Sequence, residues 1–119
     1  MRIIAIDYDE TITDNTPFPF EGKIRPEAKH YIKKLYEDGY TLVLWTARKG
    51  IYYQQAIERL HKENLYKYFT FDKKSMLSFG ELGKLEADFY IDDKSLIEPI
   101  DWEKIYNYII EKVKLWKDM

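Results

Sequence analysis

The stretch Arg2-Ile3-Ile4-Ala5-Ile6 runs straight into Asp7-Tyr8-Asp9-Glu10-Thr11, and this change of character decides the fold. A short, continuous, β-branched run reads as a strand buried on both faces, the kind found in parallel sheets. Working outward, Tyr8 to Lys23 loses all periodicity and holds Pro17, Pro19 and Gly22, which marks an irregular loop. Within it Phe18 and Phe20, interleaved with the prolines, read as loop anchors. Pro26 suits the first turn of a helix, Ala28, Tyr31, Ile32 and Leu35 follow at helical spacing, and Gly39 supplies a stop.

Tyr40 to Trp45 is a second apolar strand, and Tyr53, Ala56, Ile57 and Leu60 give the next helix one apolar face, ending near Asn64. Tyr68-Phe69-Thr70-Phe71 reads as a third strand, the segment 76–85 as a mixed stretch with a short helix, and Ala87 to Ile91 as a fourth strand. Trp102, Ile105, Tyr106, Ile109, Ile110, Val113 and Trp116 mark the strongest helix. Strands alternating with helices imply right-handed βαβ units. The expectation is an α/β protein, a three-layer α/β/α Rossmann-like domain spanning residues 1–119 around a central parallel sheet.

Composition narrows the chemistry. With 19 Lys+Arg against 21 Asp+Glu the net charge is −2, which argues against a general polyanion-binding surface. The 45% hydrophobic and 17% aromatic content supplies a core and excludes wholesale disorder. No cysteine is present, so disulfide scaffolds, thiolate zinc sites and cysteine nucleophiles are all excluded. No apolar run approaches the roughly 20 residues of a membrane span, and nothing reads as a secretory signal, so the expected location is cytoplasmic, with no membrane partner.

In an open parallel sheet, ligands bind beyond the carboxyl ends of the strands. After the first strand come Asp7, Asp9 and Thr11; after the second, Thr46, Ala47 and Arg48; after the fourth, Asp92 and Asp93, with Lys84 just ahead of it. Several carboxylates in one cleft need a compensating cation, and oxygen-only ligands favour Mg²⁺. Beside a lysine, an arginine and a threonine hydroxyl, such a centre suits an anionic oxygen group, with phosphate the leading candidate.

Asp7-Tyr8-Asp9-Glu10-Thr11 resembles the first motif of the haloacid dehalogenase (HAD) superfamily, Asp-x-Asp-x-Thr. Leu44-Trp45-Thr46-Ala47-Arg48 resembles its second motif, Gly83-Lys84-Leu85-Glu86-Ala87-Asp88 its lysine region, and Ile91-Asp92-Asp93 its acidic fourth motif. Two departures stand out. Glu10 occupies a position where Gly is commonest, although Asp-x-Asp-Glu-Thr also occurs among carboxy-terminal-domain phosphatases, and Leu85 replaces a frequent Pro.

The resemblance implies a phosphatase acting through an aspartyl-phosphate. Asp7 is then the nucleophile and Asp9 the general acid and base. Mg²⁺ is held by Asp7, Asp9 through its backbone carbonyl, and Asp92, with Asp93 binding through water or orienting Lys84. Thr46, Ala47, Arg48 and Lys84 are the phosphate-binding residues, with Lys73 and Lys74 as rivals to Lys84. His30 and His61 lack partners at metal spacing and read as surface residues.

The intervals after the first strand and between the third and fourth are too short for a folded cap domain, so the chain resembles the capless branch of small bacterial hydrolases. A loop around Pro17 to Phe20 can at most flap over the cleft. Such an open site suits a phosphorylated small molecule or the phosphorylated end of a polynucleotide or protein, and a neighbouring subunit of a homo-oligomer is another way to enclose it. The competing readings are a phospho-receiver module, with Asp72 after the third strand as acceptor, and a non-catalytic binding protein on the same fold.

Overall fold

The computed structural model describes residues 2–71, 87–92 and 100–118. Three strands form a parallel sheet in the order β2-β1-β3: β1 (Ile3–Ile6), β2 (Thr41–Leu44) and β3 (Phe89–Ile91). The register sets Ile4 against Leu42 and Phe89, and Ile6 against Leu44 and Ile91. Paired residues of a parallel ladder share a face, so these six apolar side chains line one side of the sheet. All six belong to or pack on the core cluster, together with residues of the three helices.

Those helices are α1 (Pro26–Glu37), α2 (Gly50–Lys62) and α3 (Trp102–Lys117). α1 contributes Ala28, Ile32 and Leu35, α2 contributes Ala56 and Leu60, and α3 contributes Trp102, Ile105, Ile109 and Val113, each at helical spacing. Their ends follow from local chemistry. Pro26 opens α1, Asp101 caps α3 by accepting from the Lys104 backbone amide, and Gly39 stops α1 with φ +98°. α2 starts at Gly50, three residues ahead of the apolar stripe, and ends at Lys62. Asn64 then takes φ +59°, a backbone region that asparagine tolerates better than most residues.

The expected third strand is reduced to a single parallel bridge between Leu42 and Phe69, where the Thr70 amide donates to the Leu42 carbonyl at 2.8 Å. A 3-10 turn, Tyr66–Tyr68, takes up the residue that the apolar pattern assigned to the strand. The bridge still fixes where this segment joins, on the far side of β2 from β1. The helix expected within 76–85, together with Lys84, Asp93 and the alternatives Lys73, Lys74 and Asp72, lies outside the described residues.

Between β1 and α1 the chain makes one wide π-type turn, Tyr8–Ile12, then an antiparallel bridge between Thr13 and Ile24. No folded insertion occupies this interval. The loop it encloses is braced: the Asp14 amide donates to the Lys23 carbonyl at 2.8 Å, and Arg59 of α2 ion-pairs with Glu21 at 2.9 Å and donates to the Gly22 carbonyl. A Cβ at Gly22 would collide with the Asp14 carboxylate and push it from its bonds to the Thr16 and Lys23 amides.

Candidate active site

Asp7 is placed by the sheet. Its backbone amide donates to the Ile91 carbonyl at 2.9 Å, extending the β1–β3 ladder one residue past the strand. Continuing the register from Ile6 and Ile91 sets Asp7 beside Asp92, both half-buried, at the carboxyl edge. The Asp7 carboxylate also accepts from the Tyr8 amide at 2.8 Å, which caps the wide turn. On the other side the Trp45 amide donates to the Ile6 carbonyl at 2.9 Å, bringing Thr46 and Ala47 to the same edge. Thr46 is buried, and its hydroxyl accepts from the Arg48 amide at 3.1 Å; the same hydroxyl keeps its proton to donate. Ala47 is exposed.

Asp9 is placed by a side chain. The Arg48 guanidinium donates from Nε to Oδ2 at 2.7 Å and from Nη2 to Oδ1 at 2.6 Å, a two-pronged ion pair. The side chains are 1% and 16% exposed, so water screens this pair little. Asp9's hydrogen bonds raise Arg48's pKa still further, overcoming the opposing effect of burial. The remaining guanidinium donors reach the Tyr52 and Phe20 carbonyls, and the Tyr8 and Phe18 rings lie about 5 Å from its carbon. Arg48 was expected among the phosphate-binding residues; its guanidinium lies on Asp9.

Behind the site, Tyr8 is fully buried and its hydroxyl donates to Glu21 at 3.0 Å. Burial, and then the Glu21 carboxylate, push this phenol well above its usual pKa, so it stays a neutral donor. Thr11 is also fully buried; its carbonyl accepts from Trp102 Nε1 at 3.0 Å, while its hydroxyl has no hydrogen-bond partner among the described residues. Of the two expected loop anchors, Phe18 is 50% exposed and packs on Tyr52 and Arg48, while Phe20 is 70% exposed. His30 and His61 are exposed, as expected.

The structure thus brings Asp7, Asp92, Thr46 and Ala47 to one edge, with Asp9 and Arg48 joined beside them. The Tyr8–Glu21–Arg59 chain was missed in the sequence: a tyrosine between two aspartates and an arginine on a helix carry no signal of their pairing. Among the described residues no group of three or more potential ligands is gathered tightly enough to hold a metal. The donor chemistry still fits a hard cation. Asp7 and Asp92 are neighbouring carboxylates, and Asp9, whose side chain Arg48 occupies, would offer its backbone carbonyl.

The comparisons with known proteins bear on the family and the fold. Residues 3–89 match the model of the NLI interacting factor-like phosphatases, and the chain belongs to this family of HAD-type phosphatases. A conserved protein from Bacteroides thetaiotaomicron has a solved structure that is 32% identical, with a TM-score of 0.77 over 93% of this chain and 91% of that one. An uncharacterised protein from Listeria monocytogenes serotype 4b is far more distant, at 14% identity and a TM-score of 0.43 over 96% of this chain and 61% of that one. No curated protein matches the chain. Among the described residues, no helix is long and apolar enough to cross a membrane.

Proposed function

We propose that the protein is a Mg²⁺-dependent phosphomonoesterase that works through an aspartyl-phosphate on Asp7. The observation that carries the reading is the ladder bond from Asp7 to Ile91, which sets Asp7 beside Asp92 at the strand ends. Neighbouring carboxylates are poorly suited to meet a phosphate dianion unless a cation lies with them. Asp7, Asp92 and the Asp9 carbonyl would hold Mg²⁺, with Asp93 as a fourth contributor. The ion supplies charge neutralisation between nucleophile and phosphate.

A carboxylate oxygen of Asp7 attacks phosphorus, and the bond from phosphorus to the ester oxygen breaks as Asp9, having first taken up a proton from solvent, gives that oxygen the proton. Water then attacks the same phosphorus, Asp9 takes its proton, and the acyl-phosphate bond breaks to release inorganic phosphate and Asp7. The Thr46 hydroxyl, the Ala47 amide and Lys84 are assigned to the non-bridging oxygens. Arg48 holds both oxygens of Asp9, so proton transfer requires one of these bonds to be exchanged for the leaving oxygen or water. The released prong of Arg48 is then free to turn toward the phosphoryl group, which keeps a phosphate-binding role within its reach.

A cytoplasmic setting and substrates that are small phosphorylated molecules, or phosphorylated polynucleotide or protein ends, suit this reading. The test is hydrolysis of p-nitrophenyl phosphate by the purified protein. Activity should vanish with EDTA and return with Mg²⁺; activity indifferent to EDTA would overturn the metal assignment.

A further inference from the structure

We propose that Glu21 is a positioning residue for the acid–base step: it seats Arg48, and Arg48 aims Asp9. The inference rests on the reading of Asp9 as general acid. The Asp9 carboxylate is held by two prongs of one guanidinium, so its aim is only as good as the place of Arg48. Two contacts of that guanidinium lead back to Glu21. The Tyr8 ring centre lies 5.2 Å from the guanidinium carbon, and the Tyr8 hydroxyl donates to Glu21 Oε2 at 3.0 Å. The Phe20 carbonyl, which accepts from Arg48 Nη2 at 3.5 Å, belongs to the residue immediately before Glu21.

Glu21 is tied down from the other side as well. Its Oε1 ion-pairs with Arg59 Nη2 at 2.9 Å, and Arg59 Nη1 donates to the Gly22 carbonyl at 3.1 Å. Phe20 and Gly22 are thus each held by an arginine, one just ahead of α2 and one on it, with both oxygens of Glu21 engaged between them. The turn after β1, the loop and α2 meet at this one carboxylate. Charge points the same way. Asp9's hydrogen bonds do most to uphold the charge of the buried guanidinium, and the Glu21 carboxylate adds to them against the effect of burial.

A brace that only holds the loop together would lower stability and weaken every substrate alike. A guanidinium out of place misdirects one carboxylate, and a proton donor needs a close, aligned contact with the ester oxygen. The ester that suffers is the one whose leaving group cannot depart without a proton. Glycerol 3-phosphate is such an ester, because its leaving group would otherwise be an alkoxide. p-Nitrophenyl phosphate is not, because p-nitrophenolate is stable as an anion.

The experiment measures kcat/KM of the full chain with Mg²⁺ on both esters. Asp9→Asn sets the scale and should lose far more on glycerol 3-phosphate than on p-nitrophenyl phosphate. Glu21→Ala should show the same split at smaller size, about tenfold lost on the first ester and less than about twofold on the second. Glu21→Gln keeps an oxygen for the Tyr8 hydroxyl and should recover most of that loss. Tyr8→Phe deletes a single oxygen and should repeat the split at about 3-fold, so the test does not hang on how the alanine variant folds. In an Arg48→Lys background, where the fork is already lost, Glu21→Ala should cost little more on either ester. Asp14→Asn weakens bonds across the same loop away from Arg48 and should leave both esters unchanged. Equal losses on the two esters, or full additivity with Arg48→Lys, would overturn the positioning role while the phosphatase reading stands. No split in Asp9→Asn removes the acid assignment and the role with it, and a parent inert toward both esters overturns the phosphatase reading as well.

Discussion

Two aspartates separated by one tyrosine are held in different ways. Asp7 continues the β1–β3 ladder, and its position follows from backbone hydrogen bonds that any side chain there would allow. Asp9 has left the ladder, and its carboxylate is oriented by Arg48, 39 residues further on. The nucleophile candidate therefore owes its place to the sheet, and the acid–base candidate owes its place to a single side chain. Substitution should make Asp7 fail chemically within an intact fold, and make Asp9 vulnerable through its partner.

The largest expected effect is chemical. Asp7→Asn removes the attacking oxygen's charge but keeps its shape, so hydrolysis should fall on the order of 10³-fold or more, with the melting temperature little changed. A variant that keeps its activity in a p-nitrophenyl phosphate assay breaks the nucleophile assignment.

Arg48 gives the next effect, and it separates placement from charge. Arg48→Leu leaves Asp9 as a largely buried carboxylate without its cation, and should cost about 3 kcal/mol in urea unfolding. Arg48→Lys retains the charge and loses the fork. It should lower kcat about 10- to 100-fold with KM nearly constant, because a lysine cannot hold both carboxylate oxygens. Equal loss in KM would instead place Arg48 chiefly on the substrate.

Smaller effects belong to the loop. Arg59→Ala removes the ion pair to Glu21 and the bond to Gly22, a partly exposed set, and should cost about 1 kcal/mol by the same unfolding measurement. Asp14 gives the smallest. Hydrogen bonds from Thr16, with a further one from the Lys23 amide, hold its carboxyl below the usual carboxylate range. A lowered folded pKa means stability that is present above the unfolded value and lost as pH falls through the folded one. Asp14→Asn should therefore remove a small stability at neutral pH and converge with the parent at the acid end, making the acid limb of a stability–pH curve shallower.

The contrast between the two aspartates also marks what the sequence made legible. β1, β2, β3, α1, α2 and α3 follow from apolar runs and helical spacing, because each buries its own side chains within a few residues of chain. The convergence of Asp7, Thr46 and Asp92 follows too, since parallel strands bring their carboxyl ends to one edge. The strand expected over Tyr68–Phe71 was overestimated because Tyr68 is apolar enough for a strand yet sits in a 3-10 turn. The Asp9–Arg48 grip and the Tyr8–Glu21–Arg59 chain depend on side-chain directions across distant segments, which neither periodicity nor motif spacing encodes.

The most direct test of the central claim is to quench the protein in acid during turnover of p-nitrophenyl phosphate with Mg²⁺ and map the phosphoryl group by mass spectrometry. The account predicts a transient phosphoryl group on Asp7 that is absent from Asp7→Asn and disappears once substrate is consumed. A lasting phosphoryl group on Asp72, the acceptor of the receiver reading, or steady hydrolysis with Asp7 never modified, would contradict it.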